Sequence, residues 1–372
     1  MSPRRAKRPA SAPAIEKCVN VDDFEPLARA RIRRAYFDFI AGGAEDERTL
    51  AWNRTAFDRF RLLPRVLVDV SRVDTSTTLL GTRVPSPIHV APTAYHRLAH
   101  PEGEIASVRA AGAAGSTFVA STLSTTTLED TAAAATGPVW FQLYVYRDRS
   151  LAQRFLARAA RAGYRALVLT VDLPRLGRRE RDLRARFSLP RGVRIANLEG
   201  ENERLTRWDE EGSVSAYTNA QIDPSLTWET VAWLRRETTL PIVLKGILRP
   251  DDAVRAVEAG AAAVWVSNHG GRQLDGVEAG IVALPAVVEA VGKRAEVYVD
   301  GGVRRGTDVL KALALGARAA FVGRAQLYGL AAGGEAGARR VLELLRGEFE
   351  TAMALAGCPD IASIDRSLVS GG

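Results

Sequence analysis

The sequence predicts an α/β chain folded as a (β/α)8 TIM barrel, and three observations carry that prediction. From Pro87 onward, short β-like runs alternate with alanine-rich amphipathic stretches. There are eight such runs, the number that closes a barrel. No GxGxxG opens the first strand–helix unit, as an open dinucleotide-binding sheet would lead one to expect. The runs are IHVA (88–91), TFVA (117–120), VWFQL (139–143) and ALVLTV (166–171), then PIVLK (241–245), AAVWVS (262–267), EVYVD (296–300) and AAFVG (319–323). Between them lie segments such as LAQRFLARAARAG and PDDAVRAVEAG, apolar at helical spacing and closed by glycine.

Ahead of the strands, residues 1–17 are rich in Pro, Ala and Arg without periodicity and are expected to form a disordered basic tail. Residues 18–372 then make a single domain with a helical extension at its start. Asp22 or Asp23 can cap a helix running towards Ala30. RRAYFDFI has apolar residues at helical spacing and stops at Gly42-Gly43, and a third helix is expected from Glu45 to about Asn53. One connection breaks the rhythm: residues 171–225 separate the fourth strand from a helix starting near Leu226, far beyond an ordinary βα loop. Its stretch 185–225 is polar, charged and weakly periodic, which suits a mobile cover over an active site.

With 47% hydrophobic and 25% charged residues over 372 positions, the chain can bury a sizeable core and is not disordered throughout. Two cysteines, Cys18 and Cys358, cannot make a disulfide framework or a zinc site, so no metal and a reducing, cytoplasmic setting are expected. No apolar run reaches the roughly 18 residues of a membrane helix. The basic start lacks the apolar segment of a secretory signal. The charge balance of 51 − 43 = +8 is spread along the chain. Without a zinc-finger spacing, an RNP motif or a basic helix interleaved with aromatics, it reads as a solvated surface that attracts small anions rather than nucleic acid.

In a (β/α)8 barrel the chemistry lies at the C-terminal ends of the strands. The sixth strand ends in SNHGGRQLDG (267–276), which puts His269, one of four histidines, at the mouth with Arg272 close behind. Histidine suits general base work near neutral pH, and arginine offers a two-pronged clamp for a carboxylate. His89, within the first strand, reads as a satisfied core residue; His96 and His100 can line the mouth or cap a helix. The fourth strand ends in LTVDLPRLGRRERD (169–182). There Asp172 can either orient a histidine or pair with one of its own arginines. Lys245 ends the fifth strand, where a lysine charge must be paired or used. Gln142 can hydrogen-bond a planar heterocycle, and Tyr144 and Tyr146 fit core or rim alike. DGGVRRG (300–306) and GRA (323–325) follow the last two strands, where barrels bind phosphate; Arg304 and Arg324 stand beside these glycines.

SNHGGRQLDG resembles the signature of the FMN-dependent α-hydroxy acid oxidase and dehydrogenase family, whose members include glycolate, lactate and mandelate oxidases. The likeness runs from about Val21 to Cys358 and includes FIAGGAEDERTL, APTAYHRLAHPEGE, FQLYVYRDR, QIDPSLTW and VDGGVRRGTDVLKALALGA. It implies FMN as cofactor, a (β/α)8 barrel and commonly a homotetramer. It implies His269 as base paired with Asp172, Arg179 and Arg272 on the substrate carboxylate, and Tyr144 on the hydroxyl. Flavin contacts would be Pro92, Thr93, Ala94, Ser121, Gln142, Thr170, Lys245 and Ser267. Asp300 would meet the ribityl chain, and Gly302, Arg304, Gly323 and Arg324 the phosphate.

Two expected substrate positions depart from glycolate oxidase, which has a tyrosine helping the carboxylate where this chain has Phe24, so one hydrogen bond is missing, and a tryptophan over the substrate where it has Leu123. Losing the indole opens space for a larger substrate. Phe24, with the AYH after Pro92-Thr93, is similar to 4-hydroxymandelate oxidases. The expected reaction is oxidation of an (S)-2-hydroxy acid, bulky or aryl, to the 2-oxo acid, with O2 reduced to H2O2. Its rivals are the same half-reaction with a quinone or redox-protein acceptor, and tailoring of a larger biosynthetic substrate. Membrane-bound relatives carry an apolar insertion in the long loop; here that region is charged, so no membrane partner is expected.

Overall fold

All eight expected strands close into one parallel barrel in the computed structural model, which describes residues 13–198 and 214–371. Among the described residues, the helices α1 (Pro13–Glu16), α2 (Phe24–Arg31), α3 (Arg34–Ala41) and α4 (Arg48–Thr55) come first. A short strand β1 (Arg61–Leu62) and a hairpin of β2 (Thr77–Leu79) and β3 (Thr82–Val84) precede the barrel. The barrel then alternates β4 (Ile88–Val90), α5 (Gly103–Ala113), β5 (Phe118–Ser121), α6 (Leu128–Ala134), β6 (Val139–Leu143), α7 (Arg149–Arg161) and β7 (Leu167–Thr170). Among the described residues, the helices α8 (Glu180–Ala185), α9 (Val214–Gln221) and α10 (Trp228–Glu237) lie between β7 and β8 (Ile242–Ile247). The second half runs α11 (Pro250–Glu258), β9 (Ala263–Val266), α12 (Gly280–Val291), β10 (Glu296–Asp300), α13 (Gly306–Ala314), β11 (Ala319–Val322) and α14 (Arg324–Leu355). The last strand, β12 (Val369–Ser370), pairs antiparallel with β1.

Closure is made by β11 on β4, with Ala320 opposite Ile88 and Val322 opposite Val90. Every barrel strand is buried along its whole length or at all but one residue, as parallel strands covered by helices must be. Inside, Trp140, Trp265, Tyr298 and Phe321 fill the barrel, the Trp265 and Phe321 rings lying 3.9 Å apart. Each such ring contributes roughly 1.5–3 kcal/mol on burial. Leu79 and Val84 of the hairpin join this cluster, and Leu80 N–H donates to Glu296 at the start of β10, so the hairpin plugs the N-terminal end. The C-terminal end stays free for chemistry.

Several sequence expectations shift at the edges. Residues 13–16 of the expected tail form α1, with Ile15 packed against the core; the tail's residues 1–12 lie outside the described residues. The cap near Asp22 is Asn20, whose side chain accepts from the Asp22 and Asp23 amides, while Asp23 turns back to accept from Val19 and Asn20. The third helix starts at Arg48 rather than Glu45, because Glu45 and Glu47 sit at φ 46° and 62°, left-handed backbone that no right-handed helix can include. His89 is buried as expected but only half satisfied: Nδ1 accepts from the Thr117 amide at 3.0 Å, Nε2 has no partner, and burial pushes its pKa down to about 3.

In the long connection, residues 199–213 lie outside the described residues. On either side of them the chain is packed. Phe187 stacks on Phe39 at 4.5 Å, and buried Asn197 donates to the Thr122 carbonyl while accepting from the Leu128 amide.

Candidate active site

The barrel strands deliver a belt of polar side chains to their C-terminal ends. Ser121 and Gln142 face each other in register, as do Thr170 and Lys245. Ser121 Oγ donates to Gln142 Oε1 at 3.1 Å, and Gln142 Nε2 donates to Thr170 Oγ1 at 3.0 Å. Lys245 Nζ donates to Ser267 Oγ at 2.8 Å and lies 3.2 Å from Asp300 Oδ2, and Ser267 in turn donates to Asp300 Oδ1 at 2.7 Å. These groups are buried, so each needs its partner: an isolated buried ammonium or carboxylate is far more costly than a paired one.

Above the belt sits the cavity. Pro92, Thr93, Ala94, Ser121, Lys245 and Asp300 face it on the barrel side. Gly302, Arg304 and Gly323 close one end, while Arg324 lines the cavity near Arg272, with which it shares the Gly42 carbonyl. At the other end Tyr144, Arg179, His269 and Arg272 converge beside Leu123. Gln142, Thr170 and Ser267 stand directly behind this surface through the bonds just described. Phe24, expected at the substrate, lies fully buried in α2 and is not among the lining residues. His96 and His100 do not reach the mouth either; His96 is buried under it, and His100 packs its ring against Gly334 at the kink of α14. Tyr146 is core.

His269 follows β9 at φ 58°, a left-handed turn that aims its ring back over the barrel. Its Nδ1 is 2.8 Å from Asp172 Oδ1, and its Nε2 is 3.5 Å from the Tyr144 hydroxyl. Asp172 therefore pairs with the histidine and not with its neighbouring arginines. Burial drives the His269 pKa down and Asp172 partly restores it, leaving the ring below its ordinary value. Burial would raise Asp172, but the His269 charge and hydrogen bond, with Lys245 behind them, hold its carboxyl below the usual range. Gly246, at φ 110°, makes room for the pair, since a Cβ there would come within 2.7 Å of Asp172 Cβ and Cγ.

Arg179 is buried and Arg272 half-buried, and together they bring positive charge into a confined space. Arg272 Nη1 donates to the Phe39 and Gly42 carbonyls at 2.7 and 2.9 Å, and Arg179 Nε reaches the Arg272 carbonyl at 3.4 Å. Burial and the nearby Arg179 push the Arg272 pKa down to about 9. A carboxylate between them would relieve that penalty.

A phosphate-bearing flavin fits the opposite end, and Arg304 is the observation that tests it. This side chain lines the cavity with its Nε buried and without a hydrogen-bond partner, the nearest carboxylate being Asp22 at 3.7 Å. Gly301 and Gly302 beside it have φ of 94° and 83°, and a Cβ on Gly302 would strike the Asn53 carbonyl. Arg304 Nη1 donates to the neighbouring Val303 carbonyl at 2.9 Å, and a corner of backbone amides with the unpartnered Nε suits a phosphate dianion. Arg324 differs from expectation: its Nε, Nη1 and Nη2 donate to the carbonyls of Ile40, Gly270 and Gly42 at 3.0, 2.8 and 2.8 Å. In this structure it ties the end of α3 to the His269 turn.

Sequence reading missed the roof. Phe39 and Ile40 of α3, Leu50, Asn53 and Arg54 of α4, and Tyr95 line the cavity from the N-terminal extension and the turn after β4. Leu173, Leu176, Val214 and Thr218 line it from the long connection, so part of the expected cover does lie on the site. The only sequence signal was the apolar spacing of RRAYFDFI, which marks a buried face without saying what it covers.

Fold and site together define a barrel flavoprotein oxidoreductase: a polar belt under a cavity, a phosphate corner, and a histidine–carboxylate pair facing two arginines. The sequence profile of FMN-dependent dehydrogenases matches residues 28–371, and the chain belongs to that family, with FMN as its cofactor. It is 49% identical to glycolate oxidase 3 of Arabidopsis thaliana over 94% of this chain and 95% of the relative. It is 48% identical to the L-lactate oxidase of a Nostoc species over 96% and 99% of the two chains. A solved structure of mandelate oxidase with (S)-4-hydroxymandelic acid superposes with a TM-score of 0.90 at 46% identity, covering 95% of this chain and 99% of that one. The protein is thus an FMN-dependent enzyme of 2-hydroxy acid oxidation. Among the described residues no helix is long and apolar enough to cross a membrane, and no His, Cys, Asp and Glu cluster could hold a metal ion.

Proposed function

We propose that the protein oxidises (S)-2-hydroxy acids with a bulky or aryl side chain to 2-oxo acids, with O2 as the oxidant and H2O2 as the second product. The observation that carries the substrate class is the lining next to the two arginines. Leu123, Phe39, Leu173, Leu176 and Val214 give the cavity an apolar wall where a side chain on Cα would lie. An apolar pocket with a few converging polar groups selects a ligand that has one charged end and one apolar end. The similarity to mandelate oxidase points the same way.

Arg179 and Arg272 hold the substrate carboxylate and so fix the orientation of Cα. His269 carries its proton on Nδ1, shared with Asp172, which leaves the Nε2 lone pair facing the cavity to take the substrate's proton. Asp172 stabilises the imidazolium that results, and Tyr144 offers its hydroxyl beside Nε2 to the substrate oxygen. Bound FMN supplies the two-electron acceptor and the route of those electrons to oxygen. Lys245, fixed by Ser267 and Asp300, places a positive charge under the cavity where negative charge grows. Arg304, with Gly302 and Gly323, would hold the phosphate. Pro92, Thr93, Ala94 and Ser121 would hold the ring system, with Gln142 and Thr170 behind them.

The test is to add (S)-mandelate to the FMN-loaded protein without oxygen, follow the flavin absorbance, and then admit air. Bleaching followed by recovery and peroxide is expected. A flavin that bleaches with glycolate or lactate but not with mandelate would overturn the substrate class. One that bleaches yet does not recover in air would overturn the oxidant.

A further inference from the structure

Beneath the loop that follows β4 runs a chain of four polar side chains, three of them buried and unused by the chemistry above. Gln326 Nε2 lies 2.9 Å from Ser107 Oγ, Ser107 Oγ lies 2.7 Å from His96 Nδ1, and His96 Nε2 lies 2.6 Å from Thr93 Oγ1. Gln326, Ser107 and His96 are essentially inaccessible, whereas Thr93 lines the cavity. Three separate elements converge to build it: α14 gives Gln326, α5 gives Ser107, and the turn after β4 gives His96 and Thr93. Glu104, one turn before Ser107, pins the turn by accepting from the His96 amide at 3.2 Å.

The proton positions follow from the donor and acceptor inventory. With its amide nitrogen on Ser107, Gln326 leaves one N–H and its Oε1 without partners; reversed, it would leave two buried N–H groups, the costlier arrangement. Ser107 thus accepts from Gln326, and His96 Nδ1 is the only acceptor within reach of its own proton among the described residues. Burial keeps the imidazole below its ordinary pKa and hence neutral. A neutral ring that accepts at Nδ1 carries its proton at Nε2, where it meets Thr93 Oγ1. The Thr93 hydroxyl is left accepting from His96, with its own proton directed into the cavity.

We propose that His96 is a positioning residue for the flavin. Through a tautomer set by Ser107 and Gln326, it turns the Thr93 hydroxyl into a fixed hydrogen-bond donor towards the bound FMN. A donor there stabilises the electron-rich reduced flavin over the oxidised one and raises the midpoint potential. The sequence marks the position only as the AYH that follows Pro92-Thr93. The inference is independent of which hydroxy acid is the substrate.

The experiment measures the two-electron midpoint potential of FMN-loaded protein against a reference dye, with a chemical reductant and no substrate. Thr93→Val and His96→Leu are each expected to cut the reduction equilibrium about tenfold, a fall of about 30 mV. Ser107→Ala should shift it in the same direction by less. Thr93→Ser and His96→Gln, which keep a donor at each place, should stay close to the parent. The Thr93→Val/His96→Leu double variant should fall no further than Thr93→Val alone, since the two act through one hydroxyl. A lowered potential in Thr93→Val with an unchanged one in His96→Leu overturns the relay, and so does full additivity in the double variant. If His96→Leu does not fold, an unchanged potential in Ser107→Ala overturns the tautomer argument by itself.

Discussion

His269 Nδ1 stands 2.8 Å from Asp172 Oδ1 although the two residues follow different strands, one after β9 and the other after β7. β8 lies between those strands, and its Gly246 leaves the gap through which they meet. The pair fixes the imidazole tautomer, so one nitrogen is committed to Asp172 and the other is free for the substrate. Replacing the base should therefore separate chemistry from cofactor binding. His269→Gln is expected to remain yellow with FMN, while anaerobic reduction by substrate slows by about 10²–10⁴-fold. Stopped-flow absorbance measures it, and reduction at the parent rate would remove His269 from the base role.

Asp172→Asn gives a pH prediction with a definite sign. His269 acts when neutral, so kcat/KM rises as pH increases through its pKa and then levels off. Burial already holds that pKa below the ordinary value of about 6.5. Asp172 raises it, so removing the charge lets burial lower it further and moves the rising limb to lower pH. The plateau should also fall, because the imidazolium formed during the reaction loses its counter-charge. A limb that moves to higher pH would contradict the assignment.

Gly246→Ala tests the gap. A methyl group would close on Asp172 Cβ and Cγ, in backbone at φ 110° where side chains are strained. The variant should lose about 1–3 kcal/mol of stability in denaturant unfolding. It should also lose most of its turnover while keeping FMN. Full activity would mean that Asp172 tolerates displacement.

Leu123→Trp should narrow the apolar wall, which Leu123 lines beside the arginines. Turnover of an aryl hydroxy acid should drop by about tenfold or more relative to glycolate. Comparing kcat/KM for the two substrates measures it, and an equal loss on both would count against the open pocket.

How far the site could be read from sequence depended on where each residue sits. Strand-end residues were legible because the β-like runs place them: Gln142, Thr170, Lys245 and Asp300 all lie at the C-terminal ends of their strands. His269, Asp172 and Arg179 were legible as motifs, though residue spacing alone left Asp172 undecided between the histidine and its own arginines. The roof was not legible. Phe39, Leu50 and Val214 reach the cavity through tertiary packing of helices whose apolar faces say only that they are buried. Phe24 misled for the same reason: similarity placed it at the carboxylate, but the packing of α2 turns it into the core. Arg324 kept its place on the lining but found partners that no spacing reveals, the carbonyls at the end of α3.

The two arginines near the glycines should consequently behave differently. Arg304 has a buried Nε without a hydrogen-bond partner, so its role waits on the phosphate. Arg304→Leu removes a charge-assisted contact of roughly 1.5–3 kcal/mol, so the Kd for FMN should rise about tenfold to a hundredfold with little change in the stability of the flavin-free protein. Arg324 holds three backbone carbonyls whether or not FMN is present. Arg324→Leu would leave the Ile40 and Gly270 carbonyls without that donor, the Gly42 carbonyl keeping Arg272, so it should destabilise the flavin-free protein by about 2–4 kcal/mol and loosen the His269 turn. Quenching of FMN fluorescence on titration gives the first quantity, and urea unfolding of the flavin-free variants gives the second. If the two substitutions raise the Kd for FMN alike and leave flavin-free stability alike, then Arg324 belongs to the phosphate and its carbonyl contacts count for little.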